Sequence, residues 1–116
     1  MCIRDRYTRA EALQHFRDAE STTHKPFIYL SAGVSNPVFI ETLELAGESG
    51  TKFNGVLCGR ATWKDGIAIF AQKGADAFRE WLETTGTENI KNVNLALEAA
   101  SPWSLKFGAN SMAELG

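Results

Sequence analysis

The sequence has few of the residues that form disulfides and metal sites. It contains two cysteines and two histidines among 116 residues. Neither Cys2 nor Cys58 belongs to a CxxC or similar pair, so we expect two free thiols. His15 and His24 lie nine positions apart without ligand-like neighbours, which argues against a metal site. Cys58 follows an apolar run, and this context favours a buried, unreactive thiol.

An excess of one charge and a long apolar run are also missing. The 12 basic and 14 acidic residues are interspersed, and the net charge is -2. No basic face therefore indicates nucleic acid, and no polybasic segment indicates a membrane. No apolar run approaches the roughly 20 residues of a membrane-spanning helix, and the start lacks the apolar core of a secretory signal. We expect a cytoplasmic protein with neither partner.

The composition is that of an ordinary globular domain. The chain is 44% hydrophobic and 22% charged, and its length allows one domain at most. Residues 1–6, MCIRDR, have no helical or strand period and resemble a translated adapter leader that recurs in environmental reading frames. We exclude them from the fold and expect that the natural protein begins further upstream, which would make this chain a fragment.

Four segments have helical patterns. Thr8 and Glu11 form a capping-box pattern before a helix that runs to about residue 20. A second helix is expected from Asn36, as cap, to Gly50. Two more helices follow, with stops at Gly86 and Pro102, and residues 104–116 are expected to form a loose tail.

Two continuous apolar runs predict strands between these helices. They are FIYLSAGV at 27–34 and FNGVLC at 53–58, and their lack of alternation is typical of strands buried on both faces. Apolar strands that alternate with helices indicate a parallel sheet and an α/β fold. Two strands cannot close a barrel and leave unpaired edges, so we expect the missing strands to precede residue 7.

Similar small residues follow both predicted strands. Ser31, Ala32 and Gly33 end the first, and Gly59 and Arg60 end the second. Small residues let backbone N–H groups approach an anion, serine adds a donor, and arginine offers a fork that matches phosphate oxygens. The alternative is that these are ordinary turn residues and that Arg60 pairs with a carboxylate such as Asp65. Spacing alone leaves the two interpretations about even.

The segments that carry a family resemblance are YLSAGVS, FNGVLCGRATWKDG, REWLETTGTENI and the final SPW. In them the chain resembles the carboxyl-terminal part of the bacterial class I tagatose 1,6-bisphosphate aldolases, from about Tyr7 to Trp103. The resemblance implies a partial (β/α)8 TIM barrel over residues 7–103, with 27–34 as strand seven and 53–58 as strand eight. The barrel's common phosphate site lies in the loops after those strands.

The resemblance also implies a lyase that uses a lysine Schiff base, with no metal or other cofactor. It would cleave tagatose 1,6-bisphosphate into dihydroxyacetone phosphate and glyceraldehyde 3-phosphate, as part of lactose and galactose catabolism. Ser31, Ala32, Gly33, Gly59 and Arg60 would bind one substrate phosphate. The partner would be a small-molecule sugar bisphosphate, and the full-length protein could form a homo-oligomer.

The catalytic residues implied by the resemblance are not in this chain. The family's Schiff-base lysine ends strand six, and its acid/base carboxylate lies earlier still. We interpret the six lysines of this chain as surface charges: Lys25, Lys52, Lys64, Lys73, Lys91 and Lys106. The chain alone is therefore predicted to be inactive. The alternatives are a sulfosugar-phosphate aldolase and a non-catalytic phosphosugar-binding regulator on the same barrel.

Overall fold

A computed structural model describes residues 6–115, so the predicted leader lies outside the described residues except for Arg6. Helices account for most of the described chain, and a small sheet lies among them. The α-helices are α1 (Arg9–Ser21), α2 (Asn36–Glu48), α3 (Arg60–Trp63), α4 (Gly66–Lys73), α5 (Ala75–Trp81) and α6 (Thr87–Ala96). The strands are β1 (Tyr29–Leu30) and β2 (Val56–Leu57). A π-helical turn (Leu82–Gly86) joins α5 to α6, and 3₁₀ turns follow at Leu97–Ala99, Trp103–Phe107 and Met112–Leu115.

The capping box predicted at the start of α1 is confirmed. The Glu11 N–H donates to the Thr8 hydroxyl at 3.3 Å, and the Thr8 N–H donates to the Glu11 carboxylate at 2.7 Å. These two bonds satisfy N–H groups that a helix start would otherwise leave without partners. The same bonds favour the carboxylate and lower the pKa of Glu11.

The second helix begins as predicted, although its cap differs. Ser35 is the N-cap residue, with no side-chain cap hydrogen bond, and Pro37 lies in the first turn. Asn36 is inside the helix, and its side chain reaches another segment instead of capping. The proline therefore marks the helix start correctly, because its fixed φ suits the first turn.

The two strands pair in parallel, with Tyr29 beside Val56 and Leu30 beside Leu57. Parallel pairing through a crossing helix confirms an α/β arrangement, and β1, α2 and β2 form one βαβ unit. The strands are much shorter than the predicted 27–34 and 53–58. An apolar run marks the buried path of the chain, whereas strand length depends on how many residues find hydrogen-bonding neighbours.

The prediction that both sheet faces are buried is wrong for the described chain. Tyr29 and Val56 are half-buried on the helical side, where the Tyr29 ring packs against Phe53 with 5.2 Å between centroids. Burial there raises the pKa of Tyr29 to about 12. Leu30 and Leu57 face the other side and are 62% and 64% exposed. No described residue covers that face, so one apolar side of the sheet stays open.

The core lies between the sheet and the helices α1, α2 and α6. Its largest fully buried side chains are Phe39, Phe53, Leu43 and Val93. The helices α4 and α5 pack mainly on each other, where the aromatic rings of Phe78 and Trp81 fill the space beside Gly66. In the segment predicted to be a loose tail, Ser104 and Ala109 are buried. Among residues 6–115, no helix has the length and apolarity to cross a membrane.

Candidate functional site

A tight turn ends the first strand. The Val34 N–H donates to the Ser31 carbonyl at 3.0 Å, and both central residues have positive φ, 50° at Ala32 and 78° at Gly33. Positive φ at both central positions characterises the mirror-image turns that usually contain glycine or asparagine. An alanine there is strained by roughly 1–2 kcal/mol. Such strain is concentrated at functional sites in proteins.

A one-turn helix, α3, follows the second strand. Its N-cap residue is Gly59, and both the N–H and the hydroxyl of Thr62 donate to the Gly59 carbonyl, at 2.9 and 2.7 Å. These bonds hold the chain in a tight turn as it leaves β2. Arg60 is consequently presented at the start of α3, on the same sheet edge as the first turn.

The structure brings all five predicted residues together. Ser31, Ala32, Gly33, Gly59 and Arg60 line one cavity of about 330 Å³. The guanidinium of Arg60 lies against Gly33, since a methyl group added at Gly33 would lie 3.2 Å from its carbon. Glycine is therefore needed at position 33 both for its φ and for this close approach. The parallel register sets the two turns side by side, as the sequence predicted.

The polar groups of this cavity are left without partners in the described chain. Ser31 is only 7% exposed, yet its hydroxyl makes no hydrogen bond to a described residue. The Arg60 side chain is exposed and forms no ion pair with Asp65 or with any other residue in the range 6–115. A hydroxyl and a guanidinium that share a cavity can together bind an anion such as a phosphate group.

Lys64 contacts Gly33, a residue of this cavity, contrary to its interpretation as a solvated surface charge. It follows α3 and is half-buried, and its ammonium donates to the Gly33 carbonyl at 2.8 Å. From the sequence, Lys64 was predicted to lie in a turn and to have no partner. The prediction failed because its partner is 31 residues away along the chain. The spacing of four residues between Arg60 and Lys64 could have revealed this contact, because it places both side chains on one helix face.

Two asparagines connect the site to the helices behind it. The Asn89 side chain donates to the Thr62 carbonyl at 2.9 Å, and the Asn36 side chain donates to the Asn89 carbonyl at 3.1 Å. The Asn36 side-chain oxygen is buried without a described partner. These bonds fasten α3 to α6 and to the start of α2. Neither role was predicted, because both contacts join segments far apart in sequence.

Trp63 and Cys58 complete the cavity wall. Trp63 is 41% exposed and lines the cavity, and its indole nitrogen lies 3.7 Å from the position of a methyl group built at Gly59. Cys58 is a free thiol, as expected, and burial raises its pKa. The thiol therefore stays protonated at neutral pH and is a poor nucleophile. Cys2 lies outside the described residues.

The opposite, amino end of the sheet is held by hydrogen bonds within the chain. The Asn54 side chain accepts from the Phe27 N–H at 3.0 Å and donates to the Ser101 carbonyl at 3.1 Å. The Ser101 N–H in turn donates to the Phe53 carbonyl at 2.8 Å. A cavity of about 440 Å³ opens there beside Lys52. Asn54 lines this cavity, and its side-chain amide already makes the two hydrogen bonds described above.

Comparison with known proteins gives one family and a set of relatives. The model of the DeoC/LacD family of aldolases matches residues 4–65, more than half of the chain. Tagatose 1,6-diphosphate aldolases of Staphylococcus aureus strains JH9, Newman and JH1 are each 55% identical to it over 98 residues. The matched region is 84% of this chain and 30% of each relative. The chain thus spans less than a third of the length of these relatives.

Proposed function

The chain belongs to the DeoC/LacD aldolase family, and from that premise we propose that it supplies the phosphate-binding end of a sugar-bisphosphate aldolase. The proposed parent reaction is the cleavage of tagatose 1,6-bisphosphate to dihydroxyacetone phosphate and glyceraldehyde 3-phosphate. The observation that carries the proposal is the cavity where Ser31, Gly33 and Arg60 meet with unpartnered donors.

The proposed architecture is the last two strands of a (β/α)8 barrel with their helices. Two features support it. The strands are parallel neighbours joined by a helix, as in each unit of such a barrel. The open sheet face carries Ile28, Leu30 and Leu57, which are apolar and more than half exposed. Barrel interiors are filled by such aliphatic side chains, so this face would meet the other strands.

The cavity suits one phosphate group of a sugar bisphosphate. It lies where parallel strands end, which is the side on which barrel enzymes bind substrates. Arg60 would pair with two phosphate oxygens through its planar fork, and the Ser31 hydroxyl would donate to a third. Ala32 and Gly33 line the same cavity, and the backbone N–H groups of their turn would add donors to the phosphate.

The chemical step would depend on residues outside this chain. Of its six lysines, Lys64 already donates to the Gly33 carbonyl, and Lys106 is held near Glu20, 4.0 Å away. Lys64 follows α3 and Lys106 lies in a 3₁₀ turn, so neither is the last residue of a strand, where a Schiff-base lysine would lie. The purified 116-residue chain should therefore show no turnover of tagatose 1,6-bisphosphate, and measurable cleavage by it would contradict this assignment.

The phosphate role is tested by Arg60→Ala in the full-length protein. A charge-assisted hydrogen bond contributes about 1.5–3 kcal/mol, so kcat/KM for tagatose 1,6-bisphosphate should fall roughly 10- to 150-fold. The matched control is Arg79→Ala, because Arg79 is exposed and pairs with the nearby Asp76 at 3.4 Å. Equal values for the two variants would refute the role of Arg60.

The same assay separates the alternative functions. Preferred turnover of a sulfonated sugar phosphate would identify a sulfosugar-phosphate aldolase. Binding of the bisphosphate without any turnover by the full-length protein would identify a regulator. Steady-state rates and equilibrium binding with both sugars distinguish these outcomes.

A further inference from the structure

Two cationic side chains converge on Gly33 from opposite ends of α3. The Arg60 guanidinium lies 3.2–3.5 Å from the position of a methyl group built at Gly33. The Lys64 ammonium lies 2.8 Å from the Gly33 carbonyl oxygen. Because the two residues are four positions apart, one helical turn places both on the same side. The first turn is thereby held between an arginine and a lysine.

These two charges are not neutralised by the described part of the chain. Within residues 6–115, neither Arg60 nor Lys64 belongs to an ion pair. The pairs there join Arg9 to Glu48, Arg79 to Asp76 and Lys106 to Glu20. Both side chains approach Gly33, and like charges repel each other more strongly the nearer they lie. The lysine ammonium has three donors, of which the Gly33 carbonyl occupies one. A dianion bound between them would offset the repulsion and accept the remaining hydrogen bonds.

We propose that Lys64 is a positioning residue for phosphate recognition, which fixes the Ser31–Gly33 turn against Arg60 and adds a second positive charge. This inference rests on the proposed function and identifies a residue that the sequence pattern did not select. The bond to the Gly33 carbonyl sets the spacing between the two loops that bind the anion. The added charge favours a phosphate monoester dianion over a singly charged anion.

The test is a titration of the 116-residue chain, labelled with ¹⁵N and ¹³C, with inorganic phosphate at constant ionic strength. In the wild type, phosphate should shift the Ser31 and Gly33 amides, the Arg60 side chain and the Lys64 ammonium. Lys64→Met should weaken phosphate binding about tenfold and shift the Gly33 carbonyl resonance. Lys64→Arg keeps a cationic donor and should restore affinity to within about threefold.

The matched control is Lys73→Met, which removes the same charge from the exposed end of α4. It should change phosphate affinity less than about twofold, since surface charges are screened over the Debye length. If Lys64→Met and Lys73→Met weaken phosphate affinity equally while the wild type binds phosphate at Arg60, the inference about Lys64 is overturned. The proposed phosphate site would then still stand. Absence of any phosphate-induced shift at Arg60 and Ser31 in the wild type would overturn the proposed site as well. If Lys64→Met fails to fold, an unshifted Lys64 ammonium in the wild type overturns the inference.

Discussion

The two ends of the β1–β2 sheet both collect polar groups from distant segments, but they use them differently. At the amino end, Asn54 accepts from the Phe27 N–H and donates to the Ser101 carbonyl. At the carboxyl end, the Ser31 hydroxyl and the Arg60 guanidinium have no partner in the described chain. The Asn54 amide is occupied by structural hydrogen bonds and so serves stability, whereas the Ser31 hydroxyl and the exposed Arg60 guanidinium are free to bind a ligand.

The backbone conformation at the carboxyl end of the sheet is also unusual. The carboxyl-end turn places Ala32 at a φ of 50°, which alanine rarely adopts. The hydrogen bond from Lys64 and the close contact with Arg60 hold that turn in place. Residues of similar polarity are thus hydrogen-bonded within the chain at one end and left free for the proposed ligand at the other. Substitutions at the two ends should therefore affect different measurements.

The largest effect on stability is expected for Asn54→Ala at the amino end. The change leaves the Phe27 N–H and the Ser101 carbonyl without partners, and the free energy of unfolding should fall by about 1–3 kcal/mol. Urea unfolding of the chain measures this, with Asn94→Ala as the control because Asn94 is exposed on α6. Phosphate affinity should not change. If Asn54→Ala lost as much phosphate affinity as Gly33→Ala, the two ends of the sheet would not have the separate roles proposed for them.

A smaller loss of stability, joined to a loss of binding, is expected for Gly33→Ala. The new methyl group would lie 3.2 Å from the Arg60 guanidinium, in a residue with a φ of 78°. Gly108→Ala is a matched control, since Gly108 has a φ of 74° and no heavy atom within 4 Å of an added methyl group. Both should lose about 1–2 kcal/mol of unfolding free energy from the backbone. Phosphate affinity should fall in Gly33→Ala alone, and an equal affinity in both variants would count against the site.

The smallest effect is expected for Ala32→Gly, and its sign is opposite. Glycine removes the roughly 1–2 kcal/mol of strain but adds conformational entropy to the unfolded chain. The free energy of unfolding should therefore rise by about 0.5 kcal/mol, within a precise thermal or urea measurement. Phosphate affinity should weaken slightly because the freed turn is less ordered. A lower stability would show that the turn is not strained.

Local patterns were enough to predict much of the fold. The capping box at Thr8 and Glu11 and the proline at position 37 mark helix starts, because both act over three or four residues. The apolar runs predicted the parallel strands but overestimated their length. Helix α3 was missed, since RATW is too short to show a helical period.

The candidate site was predicted in part, because some of its residues are marked by local patterns and others are not. Its five residues follow two strands directly, and parallel pairing brings strand ends together without further information. Lys64, Asn36 and Asn89 were not identified, because each contacts a segment at least 27 residues away. Whether the site binds phosphate stays a prediction, to be decided by the titrations above.

The pairing register of β1 and β2 has a consequence for engineering and for natural variation. The Tyr29 N–H donates to the Gly55 carbonyl and the Ser31 N–H to the Leu57 carbonyl, which aligns the two turns. A slip by one residue would displace one turn by about 3.3 Å, more than the length of a hydrogen bond. A change in the segment 51–55 could thus abolish ligand affinity while every residue of the cavity stays the same. Searches for loss-of-function variants should therefore include this segment, whose residues do not line the cavity.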